Sequence, residues 1–274
     1  MHWQQLLKQL SNHIVFRGLH HAFIAVQLRD ELWKTSAGRR SQKMRPFTLW
    51  LTHILLSYAG DILVSLLLGT LPLEPLNNAQ DVALCTAAWY IVFYSPFDVA
   101  YVVARTAACR CLIAPVTALN QVLHIERGVQ LATKTYGRTA TLPILIIGTV
   151  IGSGAEFLKP VAALLINRCQ LQNVAYVKLS TNSKLALLVT WLYLVQLNHS
   201  RLLLGLRRCQ LQLYVLLALT IFRILAVFYR MDHLIWQLEN RLCYALFGGL
   251  NADLNKFFKR KIALAPRKSF SKLD

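Results

Sequence analysis

The chain has 274 residues, of which 55% are apolar and only 15% are charged. Its 30 Lys and Arg residues outnumber 12 Asp and Glu residues, so the formal charge is +18, and yet the mean hydropathy is +0.43. A soluble domain carries about 25% charged residues, and this composition therefore excludes an ordinary soluble protein. It predicts a polytopic membrane protein whose basic residues lie in loops and tails, with no nucleic-acid partner.

A membrane-spanning helix needs about 20 mainly apolar residues. Five stretches meet this requirement clearly, and two more, the first and the fourth in chain order, are interrupted by polar residues. No alternation long enough for a barrel occurs, so we predict an all-α fold. The seven predicted spans are His13–Leu28, Leu49–Leu68, Val82–Val103, Cys111–Leu131, Leu142–Ile166, Leu185–Leu204 and Leu211–Tyr229.

The basic residues predict the orientation, because cytosolic loops carry an excess of Lys and Arg. Six of them, from Arg29 to Arg45, follow the first span and nine follow Tyr229, whereas the loop 69–80 has none. This places the N-terminus outside or in a lumen and the C-terminus in the cytosol. We predict a seven-helix transmembrane domain over residues 1–230 and a basic amphipathic cytosolic tail over residues 231–274. The tail either attaches to anionic lipid or only fixes the topology.

Two spans combine small residues with a carboxylate. The second has Gly60 followed by Asp61, and the fifth has Gly152 and Gly154 followed by Glu156. Glycine lets backbones approach closely and lets a helix bend. The pattern is typical of helix bends beside a pore, although close packing of small residues is its usual explanation. Its presence in the second and fifth spans predicts two inverted three-helix repeats followed by a seventh helix.

Polar residues also mark the third, fourth and sixth spans. Pro96 lacks an amide donor and bends or ends the third span, so we expect Asp98 to face a polar cavity or to bind an exposed amide. Asn120, His124 and Arg127 share one face of the fourth helix, which lines a hydrated cavity, grips a lipid headgroup or is partly interfacial. The predicted pore and helix-bend residues are Gly60, Asp61, Asp98, Gly152, Gly154, Glu156 and Lys184.

The sequence does not indicate an enzyme. Glycine-rich phosphate loops, HExxH motifs and GxSxG elbows are absent. The six cysteines include no CxxC pair and no cluster with zinc spacing. We therefore predict no catalytic residues, no metal site and no cofactor.

The order and spacing of these motifs resemble the trimeric intracellular cation (TRIC) channels of the endoplasmic and sarcoplasmic reticulum. The resemblance covers roughly residues 15–230, with the motifs in the same order and at matching spacing. The stretches that carry it are Ala59–Leu68, Asn77-Asn78, Trp89-Tyr90, Pro96–Asp98, Gly148 with Gly152–Gly154, and Lys184 with Gln196.

The resemblance implies a homotrimer in which each seven-helix subunit holds its own potassium-permeable pore. It implies a counter-ion role in the reticulum or nuclear membrane, because potassium entering the reticulum cancels the charge that calcium release removes. It also implies that phosphatidylinositol bisphosphate or another anionic lipid binds near Gln121, His124 and Arg127.

Some charges of the family are exchanged in this chain. Asn120-Gln121-Val122 stands where the family has Lys-Glu-Val, Asp61 replaces a glycine, and Ile151 stands where the fifth helix usually has Arg. Asp61 and Glu156 would then supply the charge that attracts cations. Two other functions stay open at this point, namely a non-conducting membrane scaffold and a secondary transporter of small solutes.

Overall fold

The computed structural model describes residues 2–34, 46–166, 180–198, 205–229 and 231–246. These residues are almost entirely helical and contain no strand, in agreement with the predicted all-α class. The chain divides into two compact units, residues 1–228 and 229–274. The helices are α1 (His2–Asn12), α2 (Ile14–Lys34), α3 (Pro46–Ser57), α4 (Ala59–Leu68), α5 (Ala79–Tyr94), α6 (Val99–Arg105), α7 (Ala107–Tyr136), α8 (Thr141–Leu165), α9 (Thr181–Asn198), α10 (Arg208–Phe228) and, in the second unit, α11 (Met231–Leu246).

Three of these helices, α7, α8 and α10, are long and apolar enough to cross a membrane. Two bent pairs, α3 with α4 and α5 with α6, also qualify, so the described residues contain up to five candidate spans by length and composition. The first and sixth predicted spans correspond to α2 and α9, which do not reach the same hydropathy. The count of seven therefore stays a prediction. Residues 199–204 of the sixth predicted span and residues 247–274 of the predicted tail lie outside the described residues.

The apolar core lies mainly between α7, α8, α9 and α10. Its fully buried side chains include Ile125, Ile144 and Val189. Smaller clusters join α2 to α3, α5 and α6, for example through Leu28 and Leu56. The second span is divided at Tyr58, where α3 and α4 meet with a bend of 62°.

The third span bends at Pro96, as predicted, and α6 leaves α5 at 92°. Because proline lacks an amide, the Val92 carbonyl loses its helical donor. Phe97 and Asp98 adopt left-handed φ values of 55° and 57°, which L-residues adopt at a cost. Arg29 of α2 completes the bend: its Nη1 donates to the Val92 carbonyl at 2.6 Å and its Nη2 to Asp98 Oδ1 at 2.7 Å.

The prediction that Arg29 lies in a basic loop after the first span is wrong. Arg29 is inside α2 and only 7% exposed. Its charge is compensated there by Asp98, and its guanidinium lies 4.3 Å from the centroid of the Tyr101 ring. Helix α2 therefore continues to Lys34, beyond the predicted end of the span at Leu28.

Candidate functional site

A cavity of about 120 Å³ lies where the start of α4 meets the middle of α8. Helices α2, α3, α7, α9 and α10 complete its wall. We call it the α4–α8 cavity. Its lining residues are His20, Phe23, Ile24, Gln27, Leu56, Ser57, Gly60, Asp61, Thr117, Asn120, Gln121, His124, Ile151, Gly152, Ser153, Gly154, Ala155, Glu156, Asn182 and Arg223.

Glycine is needed where α4 and α8 touch, because the two backbones are in direct contact. A Cβ atom added to Gly60 would lie 2.5 Å from the carbonyl oxygen of Ile151, and one added to Gly154 would overlap the backbone of Gly60. Real Cβ atoms do not approach other atoms this closely. The small residues predicted in the second and fifth spans therefore meet each other at one crossing point.

Helix α8 is kinked at the same point. Ser153 has a non-helical φ of −141° and ψ of 25°, and its hydroxyl donates to the Thr149 carbonyl at 2.7 Å. The carbonyl of Gly152 accepts a hydrogen bond from Gln121 Nε2 of α7 at 3.2 Å. A kink inside a membrane helix is tolerated when other groups satisfy the backbone in this way.

Gln121 connects four helices. Its Nε2 also donates to the Asn182 carbonyl at the start of α9, at 3.3 Å. Its Oε1 accepts from Arg223 Nη2 of α10 at 2.7 Å. Because Gln121 is 6% exposed, these contacts replace the water that a buried amide would otherwise need.

Two of the three carboxylates predicted for the pore, Asp61 and Glu156, line the cavity, and both are paired. Asp61 Oδ1 lies 3.1 Å from Arg127 Nη1 of α7. Glu156 Oε2 lies 2.7 Å from Lys159 Nζ, and its Oε1 accepts from Asn182 Nδ2 at 3.3 Å. The cavity therefore presents acidic groups that already have cationic partners.

Two of the predicted pore residues lie elsewhere. Asp98 is at the α5–α6 bend, bound to Arg29, and does not line the α4–α8 cavity. Lys184 lies in the first turn of α9 and is likewise outside the cavity wall. Gly60, Asp61, Gly152, Gly154 and Glu156 do line it.

The three residues predicted to bind a lipid headgroup also lie at or beside this cavity. Gln121 and His124 are in its wall, and Arg127 reaches Asp61 with a side chain that is 59% exposed. The shared helical face of Asn120, His124 and Arg127 therefore points towards one place. Binding of a lipid there stays a prediction.

The sequence analysis did not single out Arg223, His20 or Asn182 as site residues. A usable signal existed for Arg223, because it is the one charged residue between Leu211 and Phe228. An ionisable residue inside a membrane span is a functional candidate by default. Within the described residues no group of three His, Cys, Asp or Glu side chains is arranged to hold a metal ion.

Comparison with known proteins identifies relatives of this chain. The family model "TRIC channel" matches residues 35–230. The trimeric intracellular cation channel type 1B.1 of Caenorhabditis elegans is 28% identical over 158 residues, which are 58% of this chain and 52% of that protein. The match thus spans about half the length of that relative. Type 1B.2 of the same organism is 24% identical over 244 residues, 89% of this chain and 76% of the relative.

The fold is shared with a solved structure as well. The structure of a TRIC counter-ion channel in calcium release superposes with a TM-score of 0.67 at 22% identity, covering 82% of this chain and 98% of that one. All these relatives are channels, in agreement with the prediction that the protein is not an enzyme. With a family match over residues 35–230 and the same helical fold, the chain belongs to the TRIC channel family of intracellular cation channels.

Proposed function

We propose that the protein is a potassium-permeable channel and that its ion path passes through the α4–α8 cavity. One observation carries the proposal: two bent spans meet backbone to backbone beside a cavity that holds Asp61, Glu156 and the carbonyl of Gly152. Carboxylates and backbone carbonyls are the groups that replace the hydration shell of a cation in a channel. In the α4–α8 cavity they lie together at a break in each helix.

The proposed physiological role is counter-ion flow. A solved relative is described as a counter-ion channel in calcium release. When calcium leaves a closed compartment, the charge it removes opposes further release, and an inward flow of potassium cancels that charge. We propose the membrane of the endoplasmic or sarcoplasmic reticulum, or the nuclear membrane, as the location, with the C-terminus in the cytosol.

The proposed assembly is a homotrimer of seven-helix subunits, each built from two inverted three-helix repeats and a seventh helix. The names of the relatives support the trimer. A break in the second span at Tyr58 and a kink in the fifth at Ser153 support the repeat, because each lies in the middle span of its group of three. Cross-linking in mild detergent is expected to stop at three subunits.

We also propose that an anionic lipid, such as phosphatidylinositol bisphosphate, binds at Gln121, His124 and Arg127. The exposed guanidinium of Arg127 supports this role, since a basic residue near an anionic headgroup gains about 1 kcal/mol. The domain division at residue 230 and the membrane attachment of the basic tail belong to the same proposal.

The test is recording in planar bilayers with the purified full-length protein. We expect potassium currents, and we expect Asp61→Asn or Glu156→Gln to reduce them about two- to tenfold, because each removes a local negative charge. Glu74→Gln is the matched control, since Glu74 is exposed and outside the cavity. Silence in every lipid mixture would exclude conduction, and equal effects of all three variants would exclude this path.

A non-conducting membrane scaffold is the second candidate function. It is favoured by the pairing of Asp61 with Arg127 and of Glu156 with Lys159, which leaves neither acid free for a passing cation. Deleting residues 256–274 separates the two functions. A scaffold loses its lipid or protein partners when the basic tail is removed, whereas a channel continues to conduct.

A further inference from the structure

Arg223 is a cation inside an otherwise apolar stretch of α10, and its side chain lies in the wall of the α4–α8 cavity. A charged side chain at membrane depth is costly, so it usually faces a cavity and serves a function. The other arginine of α10, Arg208, lies at the start of the helix. Arg208 pairs with Glu126 at 3.2 Å and does not line the cavity.

The guanidinium of Arg223 stands at the end of a hydrogen-bonded chain that crosses the cavity. Its Nη2 donates to Gln121 Oε1 at 2.7 Å, and Gln121 Nε2 donates in turn to the Gly152 carbonyl at the α8 kink. The second bond of Gln121 Nε2 reaches the Asn182 carbonyl of α9. These hydrogen bonds link helices α7, α8, α9 and α10 beside the proposed ion path.

Among the residues that the structure describes, Arg223 forms no ion pair with an acid. Among the described ion pairs, Asp61 uses Arg127 and Glu156 uses Lys159, while Arg223 binds the neutral amide of Gln121. Its Nε is buried without a hydrogen-bond partner, and so is Nδ1 of His20 in the same wall. The cavity wall therefore holds a guanidinium that is bound to a neutral amide, beside two carboxylates, Asp61 and Glu156, that pair with other cations.

A fixed positive charge and a permeating cation repel each other strongly where water is scarce. The carbonyl of Gly152, which would help to coordinate a cation, is occupied by Gln121 in this arrangement. The repulsion by Arg223 and the occupation of the Gly152 carbonyl both oppose cation passage. Both depend on the position of the Arg223 side chain.

We propose that Arg223 is the residue that restricts cation passage through the α4–α8 cavity. Bound to Gln121, it closes the path and repels cations. Passage requires that this hydrogen bond breaks and that the guanidinium moves away from the path. The inference rests on the proposed conduction path, and it assigns to α10 the control of the cavity formed by the other helices.

The first test compares potassium currents of the wild type, Arg223→Gln, Arg223→Lys and Arg208→Gln. Arg223→Gln removes the charge, and we expect the current to rise about tenfold. Arg223→Lys keeps the charge and is expected to stay close to the wild type. Arg208→Gln is the matched control from the same helix and should conduct like the wild type. An unchanged or reduced current in a folded Arg223→Gln protein would overturn the proposal.

A second measurement does not depend on current. In an Asn120→Cys background, the rate at which a cationic methanethiosulfonate labels Cys at position 120 reports access to the cavity, followed by mass spectrometry of that peptide. We expect Arg223→Gln to accelerate labelling about tenfold, and Arg208→Gln to leave it unchanged.

The two measurements separate the proposals. Faster labelling without current in any variant would retain the role of Arg223 and reject conduction. Current that passes equally in wild type and Arg223→Gln, with unchanged labelling, would retain the channel and reject the role of Arg223. Loss of folding would lower the current but would expose position 120 and raise labelling, so size-exclusion chromatography and thermal unfolding must show that each compared variant is folded.

Discussion

Two bends in this molecule differ in whether their polar groups find hydrogen-bond partners in the protein. At the α5–α6 bend, Pro96 removes the donor for the Val92 carbonyl, and Arg29 supplies a replacement at 2.6 Å while it also binds Asp98. At the crossing of α4 and α8, polar atoms remain without partners, among them Ser57 Oγ and Arg223 Nε.

The difference indicates which bend is structural and which is functional. Buried polar groups in a stable fold are hydrogen-bonded, so unpaired ones need an explanation. At the α5–α6 bend, Arg29 binds both the Val92 carbonyl and Asp98, and the bend does not line the α4–α8 cavity. The α4–α8 crossing leaves buried polar atoms of the cavity wall without a protein partner. We expect loss of the Arg29 contacts at the first bend to lower stability without changing conduction, and changes to the polar groups at the second to alter conduction.

The largest expected effect comes from filling the α4–α8 crossing. Gly154→Val would place side-chain atoms on the backbone of Gly60, which cannot move as a flexible side chain would. We expect a loss of at least about 3 kcal/mol in the free energy of unfolding, measured by denaturant titration in detergent. Gly18→Ala is the control, because its Cβ meets only the Leu84 side chain, at 3.5 Å. Tolerance of Val at 154 would contradict the close approach.

The next effect comes from opening the α5–α6 bend. Arg29→Met leaves the Val92 carbonyl and Asp98 without their donor, and we expect a loss of about 2 kcal/mol. Arg105→Met is the control, because the Arg105 side chain is 59% exposed and contacts Asp30 at 3.5 Å. That exposed pair should contribute less than about 1 kcal/mol. If Arg29→Met changed potassium current and not stability, the division between the two bends would be wrong.

A smaller effect on stability separates the cost of an unfavourable backbone conformation from the cost of steric crowding. Gly69 ends α4 with a φ of 70° and has no atom within 4 Å of an added Cβ. Gly69→Ala is therefore expected to cost only the left-handed strain, about 1 kcal/mol. A cost similar to that of Gly154→Val would mean that crowding does not explain the effect at the crossing.

The smallest effect tests the unpartnered groups directly. Ser57 Oγ is buried in the cavity wall without a hydrogen-bond partner, so Ser57→Ala removes no protein hydrogen bond. We expect the free energy of unfolding to change by less than about 0.5 kcal/mol. Thr52→Val is the matched case, because the buried Thr52 hydroxyl donates to the Thr48 carbonyl at 2.7 Å. A larger loss for Ser57→Ala than for Thr52→Val would reveal a partner at the cavity.

Local sequence was sufficient to predict the breaks. Proline at 96 and the glycine pattern around 60 and 152 act through the backbone, so the bend of the third span and the small residues of the second and fifth spans could be read from single segments, whereas the contact between those two spans could not. The common face of Asn120, His124 and Arg127 follows from helical spacing in the same way.

The partners at each break could not be predicted from one segment. Arg29 and Arg223 reach residues 63 or more positions away in sequence, and their long side chains can approach several helices. Arg29 looked like the first residue of a basic loop because its acid, Asp98, lies on another element. Arg223 is the one charged residue between Leu211 and Phe228, and that segment alone does not show which helix its side chain contacts. Only packing brings each to its partner.

The right angle at Pro96 has a consequence for bilayer thickness. Helix α5 has 16 residues, so its axis is about 24 Å long, shorter than a hydrocarbon layer of about 30 Å. Helix α6 turns through 92° and adds little depth. Lipids beside this segment would have to thin or the subunit would have to tilt, and either adjustment is smaller in a thin bilayer such as that of the reticulum. We expect the protein to reconstitute best in shorter-chain lipids.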